Sequence, residues 1–292
     1  MYDVIIIGKG PAGISASLYT LRANLKTLII AKDYGQLIKA GKIDNYYGFS
    51  EPVSGTHLLK EGEKQALRLG ADIVDDEVIA IENTDCFKAI TADREYEGKA
   101  VLLASGQTRK KLKIANMEKY EGKGISYCTT CDGFFYRNLR VGVLGFKDYA
   151  FHEAGELETF TKNITIYTNG NNLELTEKYL NISEKYKVNK KPVAMVEGDE
   201  FLSALQFQDG TREEIDGLFI AYESASSADF ARKLGIITQG ASIAADENQR
   251  TNLEGVYAAG DCTGGFKQIS TAVGQGAQAA RRIIEYLREP KT

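Results

Sequence analysis

The chain of 292 residues is poor in the side chains that bind metal ions, with only two histidines and four cysteines. Cys86 and Cys262 stand alone, and Cys128 and Cys131 form the single CxxC pair. A structural zinc ion usually takes about four cysteine or histidine ligands, and no second CxxC or histidine pair exists to complete such a set. We therefore expect no metal in this protein.

The chain also lacks a strong charge and a long apolar run. Its net charge is −4 with both signs mixed, which argues against nucleic acid or a membrane as the main partner. The first residues lead directly into an apolar strand, Val4–Ile7, without a basic region or a cleavage site. This start predicts no signal peptide and a cytoplasmic location. In a reducing cytoplasm a CxxC pair is more often catalytic or metal-binding than a structural disulfide.

A glycine-rich turn connects two apolar segments near the N-terminus. Tyr2–Ile7 has the continuous apolar character of a parallel strand that is buried on both faces. The motif GKGPAG follows at residues 8–13, a small-residue helix continues to Ala23, and Thr27–Ile30 is the next strand. Strand, glycine turn, helix and strand within about 30 residues are typical of a dinucleotide-binding unit.

Each glycine of this motif has a physical task. Gly8 permits the tight turn, Gly10 lets a pyrophosphate approach the backbone, and Gly13 allows the helix to pack closely on the strand. The helix N-terminus then faces the anionic phosphates. The second strand ends in Ala31-Lys32-Asp33, without an acidic residue at the usual ribose position. A glycine-rich turn that binds nothing is the alternative interpretation.

A second unit of this kind begins near the middle of the chain. Strand Val141–Leu144 leads through Gly145 into a helix at Tyr149–Phe160 and a strand at Ile164–Tyr167. The two starts predict an α/β fold of two tandem Rossmann-like domains (two dinucleotide folds), the second inserted into the first. The predicted boundaries are residues 1–109 and 243–292 for the first domain and 110–242 for the inserted domain.

Six segments, in order over the whole chain, resemble the low-molecular-weight thioredoxin reductases. The segment around the CxxC pair is the most specific of the six. The segments are GKGPAG (8–13), GQL (35–37), DNYYGF (44–49), CTTCDGFFYRN (128–138), AAGDC (258–262) and KQISTAVGQGAQAA (267–280).

The resemblance implies a flavoprotein that reduces thioredoxin and forms a homodimer. FAD is then expected in the domain formed by the first and last segments, and the CxxC pair in the inserted domain. The expected FAD-binding residues are Gly8, Gly10, Pro11, Ala12, Gly13, Gly35, Gln36, Leu37, Asn45, Val78, Ala104, Gly106, Gly260, Asp261, Lys267, Gln268 and Ile269.

The resemblance also implies roles for three residues of the CxxC segment. Cys131 is expected to face the flavin, and Cys128 to attack or release thioredoxin. Asp132 is expected to act as the acid that protonates the leaving thiolate. Half of a zinc site or a structural disulfide is the alternative for the two cysteines. For Asp132 the alternative is a cap of the turn before Gly133.

The second nucleotide loop departs from the pattern of the NADPH-dependent members. Gly145-Phe-Lys147-Asp-Tyr-Ala150 places a lysine where the pyrophosphate must approach the backbone. Thr168-Asn169-Gly170-Asn171 stands where arginines would bind a 2′-phosphate. The chain therefore resembles most the ferredoxin-dependent flavin thioredoxin reductases. A plant-type ferredoxin near −400 mV and thioredoxin near −270 mV differ by about 130 mV, or about 6 kcal/mol for two electrons.

Other functions remain open at this point. They are an NADPH-dependent reductase, a redox sensor and a dithiol oxidase. Family members that act as dithiol oxidases have histidines near the C-terminus, where neither His57 nor His152 lies. Cys262 is expected to be a small buried residue, and Cys86 receives no role. Two basic segments could dock an acidic ferredoxin. They comprise Arg109, Lys110, Lys111 and Lys113, and Lys187, Lys190 and Lys191.

Overall fold

A computed structural model describes residues 1–106 and 112–289 of the chain. The chain divides into two compact units, Met1–Arg109 with Ser226–Thr292 (unit 1) and Lys110–Ala225 (unit 2). Among the described residues, no helix is long and apolar enough to span a membrane. The α/β fold predicted from the two glycine turns is confirmed.

Unit 1 begins with a mostly parallel sheet. Strands β3, β2, β1 and β6 lie side by side in parallel, and β5 and β4 continue from β6 as an antiparallel meander. The elements are β1 (Tyr2–Ile7), α1 (Pro11–Arg22), β2 (Thr27–Ile30), α2 (Gly55–Arg68), β3 (Asp72–Val74), β4 (Ala80–Asn83), β5 (Phe87–Ile90) and β6 (Glu95–Leu103).

Unit 2 contains a parallel sheet in the order β10-β9-β8-β14-β7 and an antiparallel sheet in the order β11-β12-β13. Its elements are α3 (Met117–Tyr120), β7 (Ile125–Ser126), α4 (Thr129–Asp132), β8 (Val141–Leu144), α5 (Asp148–Leu157), β9 (Ile164–Tyr167), α6 (Glu177–Ser183), β10 (Lys187–Asn189), β11 (Val193–Gly198), β12 (Leu202–Phe207), β13 (Arg212–Glu214) and β14 (Gly217–Ile220).

The last part of the chain returns to unit 1, because β17 pairs in parallel with β6 through Val256–Ala258. Its final helix then packs along α1, where Ser15 Oγ donates to the carbonyl of Val273 at 2.8 Å. The elements of this part are α7 (Ser227–Lys233), β15 (Thr238–Gln239), β16 (Ser242–Ile243), β17 (Val256–Ala258) and α8 (Ile269–Arg288).

The structure groups residues 226–242 with unit 1, whereas the sequence pattern placed them in the inserted domain. Helix α7 starts with a capping box in which Ser226 and Asp229 exchange hydrogen bonds. The hydroxyl of Ser227 lies 2.6 Å from that of Ser105, which is two residues after the end of β6 in unit 1. The unit therefore resumes at residue 226 and not at residue 243.

The core of unit 1 explains why its first strand and helix form as predicted. Val4 and Ile6 of β1 are fully buried and pack with Ala12 and Ala16 of α1 in one apolar cluster. Small residues on α1 let the helix approach the sheet, and burial on both faces accounts for the unbroken apolar run of β1. The glycine turn at the carboxyl end of β1 is thereby held in place.

Candidate functional site

The glycine turn after β1 admits no side chain at two of its glycines. Gly8 has a φ of +113°, and a Cβ built there would lie 2.4 Å from the carbonyl oxygen of Ala104. A Cβ at Gly13 would lie 2.0 Å from the carbonyl oxygen of Gly8. Both positions require glycine for the turn to close.

Gly10 is different, because the space beside it is open. It is the N-cap of α1, and a Cβ built there would have no heavy atom within 4 Å among the neighbouring residues. No side chain caps α1, and its first turn contains no acidic residue. The first backbone N–H groups of the helix therefore face an open cradle suited to a pyrophosphate.

Lys9, between the first two glycines, has a buried side chain that the motif did not predict. It is 4% exposed, its Nζ lies 3.3 Å from Glu63 Oε1, and it also pairs with Asp75. The same ammonium lies 4.1 Å from the centre of the Tyr34 ring. Burial lowers the pKa of Lys9, but the hydrogen bonds to Asp75 and Glu63 outweigh it and raise that pKa above its ordinary value. Lys9 is thus a buried cation that is held by Glu63, Asp75 and the Tyr34 ring.

Two expected FAD-binding residues from distant segments meet in the structure. Asn45 Nδ2 donates to Gln268 Oε1 at 3.1 Å across 223 residues of sequence. Gln268 is the N-cap of α8, and Ile269 is the first residue of that helix. The DNYYGF segment (44–49) is therefore joined to the last segment at the N-terminus of α8.

The remaining expected FAD-binding residues also lie in unit 1. Gly260 has a φ of +85°, follows β17, and donates its N–H to Gln275 Oε1 at 2.8 Å. Asp261 begins a short 3-10 turn after it, and Gly35 with a φ of +67° precedes another that contains Gln36 and Leu37. The others are Pro11 and Ala12 in the first turn of α1, Val78 before β4, Ala104 and Gly106 after β6, and Lys267 before α8.

In unit 2, Cys128 and Cys131 are joined by a disulfide. Cys128 is 3% exposed and is the N-cap of the short helix α4, whereas Cys131 is exposed. The Sγ of Cys128 also accepts a hydrogen bond from the backbone N–H of Cys131 at 3.1 Å. A CxxC pair at a helix N-terminus has the environment that stabilises a thiolate after reduction.

Asp132 is connected to this pair through a serine that the sequence analysis did not identify. Ser126 Oγ donates to Asp132 Oδ2 at 2.6 Å and accepts from the backbone N–H of Cys128 at 3.0 Å. The carboxyl of Asp132 is therefore oriented toward the disulfide segment instead of capping the turn before Gly133. Desolvation, and then the charge of Asp132, raise the pKa of Tyr136.

Two glutamates of α5 contact the CxxC segment through Thr129. Thr129 Oγ1 lies 2.7 Å from Glu153 Oε2 and 2.7 Å from Glu156 Oε2. Thr129 and Glu153 are buried, at 1% and 2% exposure. The helical spacing of three residues places both carboxyls on the face of α5 that packs on α4. No sequence signal marked these glutamates, because the contact depends on how the two helices pack.

The second glycine turn is covered by protein. Lys147 Nζ lies 2.9 Å from Glu174 Oε2, and Glu174 donates its backbone N–H to the carbonyl of Phe146 at 2.9 Å. Thr176 donates its backbone N–H to Asp148 Oδ1 at 2.9 Å. The segment that follows β9 therefore pairs with the loop between β8 and α5, at the place where a pyrophosphate would contact the helix N-terminus.

Comparison with known proteins identifies the family. The family model described as pyridine nucleotide-disulphide oxidoreductase matches residues 2–276. A curated thioredoxin reductase from Aquifex aeolicus is 34% identical over 307 residues, which cover all of this chain and 95% of that protein. This chain belongs to the pyridine nucleotide-disulphide oxidoreductase family, among its thioredoxin reductases.

Solved structures show the same relationship. The atypical thioredoxin reductase TRi from Desulfovibrio vulgaris Hildenborough is 44% identical with a TM-score of 0.95, over 99% of each chain. A ferredoxin-flavin thioredoxin reductase from Clostridium acetobutylicum is 28% identical with a TM-score of 0.69, over 97% of each chain. The thioredoxin reductases of this family bind FAD, and this chain is accordingly a flavoprotein disulfide oxidoreductase.

The other two cysteines of this thioredoxin reductase, Cys86 and Cys262, are not part of the disulfide. Cys262 is 2% exposed, and its Sγ donates to the carbonyls of Leu103 and Ala259, both at 3.3 Å. Burial raises the pKa of Cys262 to about 12, which agrees with a small buried residue that has no redox role. Cys86 lies just before β5, and nothing in its surroundings gives it a role.

The two basic segments differ in how far they can be described. Arg109, Lys110 and Lys111 lie outside the described residues, and Lys113 precedes α3. In the other segment, Lys187 Nζ pairs with Glu213 at 2.6 Å and Lys191 Nζ pairs with Asp209 at 2.8 Å. This pairing weakens the case for Lys187, Lys190 and Lys191 as a docking surface for an acidic protein.

Proposed function

We propose that this thioredoxin reductase passes electrons from reduced ferredoxin through FAD and the Cys128–Cys131 disulfide to thioredoxin, without using NADPH or NADH. The observation that carries this proposal is the ion pair between Lys147 and Glu174 at the second glycine turn. A reductase that uses a nicotinamide nucleotide needs an open cradle at that turn, as unit 1 has at Gly10.

The second turn opposes a nucleotide in three ways. Lys147 carries a side chain where the backbone would have to approach the pyrophosphate. The carboxylate of Glu174, which lies 2.9 Å from Lys147 Nζ, would repel a phosphate that reached this position. The Thr168–Asn171 turn offers neither an arginine for a 2′-phosphate nor an acid for a ribose. Polar side chains of this turn are already bonded to protein, since Thr168 Oγ1 donates to the carbonyl of Asn171 at 2.7 Å and Asn171 Nδ2 donates to Tyr222 Oη at 2.8 Å.

FAD is assigned to the first turn because the residues there fit its pyrophosphate. Gly8, Gly10 and Gly13 shape the cradle, and the N-terminus of α1 supplies N–H donors. The segments that carry Asn45, Asp261 and Gln268 would hold the rest of the cofactor. When bound, FAD accepts single electrons from a one-electron donor and delivers two electrons to a disulfide.

The CxxC segment supplies the groups for the disulfide step. We assign Cys131 to face the flavin and Cys128 to exchange with thioredoxin, as the family resemblance implies. Asp132 holds or releases a proton for the leaving thiolate, and Ser126 keeps its carboxyl directed toward the segment through the 2.6 Å hydrogen bond. The backbone N–H of Cys131 already points at the Sγ of Cys128 and would stabilise a thiolate there.

Thioredoxin would dock on two exposed aromatic side chains beside the disulfide. Phe134 and Phe135 are 61% and 72% exposed, although large apolar side chains are usually buried. Their rings are 6.0 Å apart in an edge-to-face arrangement, and Arg137 lies over Phe134. Exposed aromatic residues with an arginine at the edge are typical of binding hot spots.

Reduced ferredoxin is proposed as the donor on two grounds. Ferredoxin appears in the name of the related Clostridium acetobutylicum protein. Electron transfer from ferredoxin to thioredoxin is also downhill by about 130 mV. Lys113 and its basic neighbours in sequence are the remaining candidate for docking an acidic ferredoxin.

A homodimer through the FAD-binding unit completes the proposal. An open cleft of unit 1 is lined by Gly10, Pro11, Leu37 and Ile269 of the expected FAD site together with Tyr47 and Phe49. Tyr47 is 97% exposed and Phe49 is 47% exposed, so these two aromatic side chains would gain from burial in a subunit interface. Light scattering at micromolar concentrations tests it, since a monomer there would remove this part of the proposal.

The donor proposal is tested by anaerobic absorbance of the flavin band. NADPH, NADH and reduced ferredoxin are added separately to the oxidised holoenzyme. We expect ferredoxin to bleach the band and neither nucleotide to do so at useful rates. Rapid bleaching of the flavin band by millimolar NADPH would show that this protein is an ordinary NADPH-dependent reductase.

A further inference from the structure

The hydroxyl of Thr129, inside the CxxC motif, lies between two carboxyl groups. Its Oγ1 is 2.7 Å from Glu153 Oε2 and 2.7 Å from Glu156 Oε2, and both distances are those of O–H···O hydrogen bonds. Thr129 is 1% exposed, so water does not separate these atoms. The arrangement joins one hydroxyl to two acids within the redox segment of unit 2.

A threonine hydroxyl has a single proton, whereas an ionised carboxylate can only accept. Thr129 can therefore donate a full hydrogen bond to one of the glutamates and not to both. The second contact at 2.7 Å is a hydrogen bond only if the other carboxyl carries a proton and donates it to Thr129 Oγ1. Two ionised carboxylates at these distances would instead repel each other strongly, because the buried site has a low dielectric.

Burial indicates which glutamate holds the proton. Glu153 is 2% exposed, and an ionised carboxylate is costly at that depth. The side chain of Glu156 is 35% exposed, accepts from Thr130 Oγ1 at 3.2 Å, and has His152 Nε2 at 3.5 Å from its Oε1. Water, a hydroxyl and an imidazole favour the ionised form of Glu156. In this arrangement Glu153 donates a hydrogen bond to Thr129 Oγ1, and the Thr129 hydroxyl donates one to Glu156.

We propose that Glu153 and Glu156 share one proton through the Thr129 hydroxyl, so that the carboxyl pair carries a single negative charge and sets the pH at which the reduced Cys128 and Cys131 ionise. When the shared proton moves, Glu153 gives its proton to Thr129 Oγ1 while the threonine proton passes to Glu156 Oε2. One O–H bond forms for each that breaks, and no electrons move. The inference rests on the proposed role of the cysteines as the redox pair.

Other titratable groups surround the pair, and each is on a helix or strand that packs on α5. Helix α4 contributes the two cysteines and Asp132, whose carboxyl bonds to Ser126. Helix α6 contributes Tyr179, whose hydroxyl lies 3.5 Å from His152 Nδ1. Strand β8 has no titratable side chain, and the one on β9 is Tyr167, whose ring packs on Phe207.

Infrared spectroscopy of the oxidised holoenzyme near neutral pH tests for the shared proton directly. We expect a carbonyl band of a protonated carboxylic acid that shifts in heavy water and is lost in Glu153→Gln. Glu156→Gln should keep the band. Glu158→Gln is the matched control, since Glu158 is on the same helix and its hydrogen bond from Tyr186 holds its pKa below the usual range.

The effect on the cysteines is tested after reduction with dithiothreitol, which bypasses the flavin and any electron donor. The alkylation rates of Cys128 and Cys131 are followed by mass spectrometry as a function of pH. Glutamine is the isostere of a protonated glutamate, so Glu153→Gln should leave the pH midpoint of alkylation unchanged. Glu156→Gln removes the negative charge and should shift the midpoint down by about 0.5 unit or more.

Thr129 provides a rescue experiment. Thr129→Val removes the hydroxyl and should shift the midpoint, whereas Thr129→Ser retains it and should restore the wild-type value. Absence of an acid band that depends on Glu153 would show that both carboxylates are ionised and would overturn the proposal. Equal shifts in Glu153→Gln and Glu156→Gln would overturn it as well. Neither result depends on which donor reduces the flavin.

Discussion

Lys147 Nζ and Glu174 Oε2 lie 2.9 Å apart at the second glycine turn. The corresponding turn of unit 1 has an open position at Gly10, where a backbone can meet a pyrophosphate. Two similar βαβ units in one chain thus differ in whether the helix N-terminus is available to an anion. On the proposed function, the flavin receives its electrons from a donor that does not bind at the second glycine turn.

The first prediction concerns the FAD cradle. Gly10→Val should leave the purified protein largely without FAD, because the side chain fills the space at the N-terminus of α1. The flavin content is measured from the absorbance of the purified protein. Gly274→Val is the control, since Gly274 is exposed on α8 with open space around it. Full retention of FAD in Gly10→Val would contradict the placement of the cofactor.

The fold around this cradle was predictable from the sequence because its signals are local. The apolar run before Gly8 and the small residues after Gly13 specify the strand, the turn and the helix without reference to the rest of the chain. The boundary near residue 242 was wrong because the sequence of α7 does not reveal which core it packs against. That choice depends on contacts such as the one between Ser105 and Ser227.

The site was predictable only in part, for the same reason. The CxxC motif and the segments containing Asn45 and Gln268 carry sequence signals, and the structure joins the latter two. Ser126, Glu153 and Glu174 carry none. Each acquires its contact through the packing of elements that are distant in sequence, which no periodicity or spacing records.

The second prediction separates the roles of the two cysteines. Cys128→Ser should leave reduction of the flavin by the donor intact and stop turnover with thioredoxin. Cys131→Ser should stop turnover and also alter the absorbance or fluorescence of the flavin, since this residue is assigned to face it. The turnover with thioredoxin and the absorbance or fluorescence of the flavin are measured on the same preparation of each variant. If the two variants exchanged these behaviours, the assignment of the thiols would be reversed.

The third prediction concerns the aromatic surface beside the disulfide. Replacing Phe134 and Phe135 by serine should raise the KM for thioredoxin by about tenfold or more, because hot-spot aromatic residues contribute 2 kcal/mol or more of binding free energy. The reduction of the flavin by the donor should not change. Phe201→Ser serves as the control, since Phe201 is 59% exposed and lies before β12. An unchanged KM in the double variant would exclude this surface as the docking site.

The fourth prediction concerns the stability of unit 2. Arg140 bonds to Asp216 through two side-chain contacts of 2.9 and 3.1 Å and lowers the pKa of Asp216. Because the folded pKa lies below the unfolded value of about 3.9, the stabilisation is present above that pH and is lost as the pH falls through the folded pKa. Asp216→Asn should lower the free energy of unfolding by about 1 kcal/mol at pH 7.

The check on this prediction is denaturant unfolding of both proteins at several pH values. The difference in unfolding free energy should shrink toward zero under acid conditions, below the folded pKa of Asp216. Asp199→Asn, at an exposed position before β12, should cause little change at any pH. A difference that stays constant as the pH falls would show that the ionised carboxylate is not responsible.

The most direct measurement of the central claim is anaerobic production of thioredoxin thiols with each electron donor in turn. With reduced ferredoxin we expect continuous turnover that slows as salt rises, because an acidic ferredoxin would meet a basic surface. NADPH and NADH should support no useful turnover in the wild-type protein or in Lys147→Gly, which restores one glycine but no arginine for the 2′-phosphate. Turnover with NADPH in the unmodified protein, or none with ferredoxin, would contradict the account.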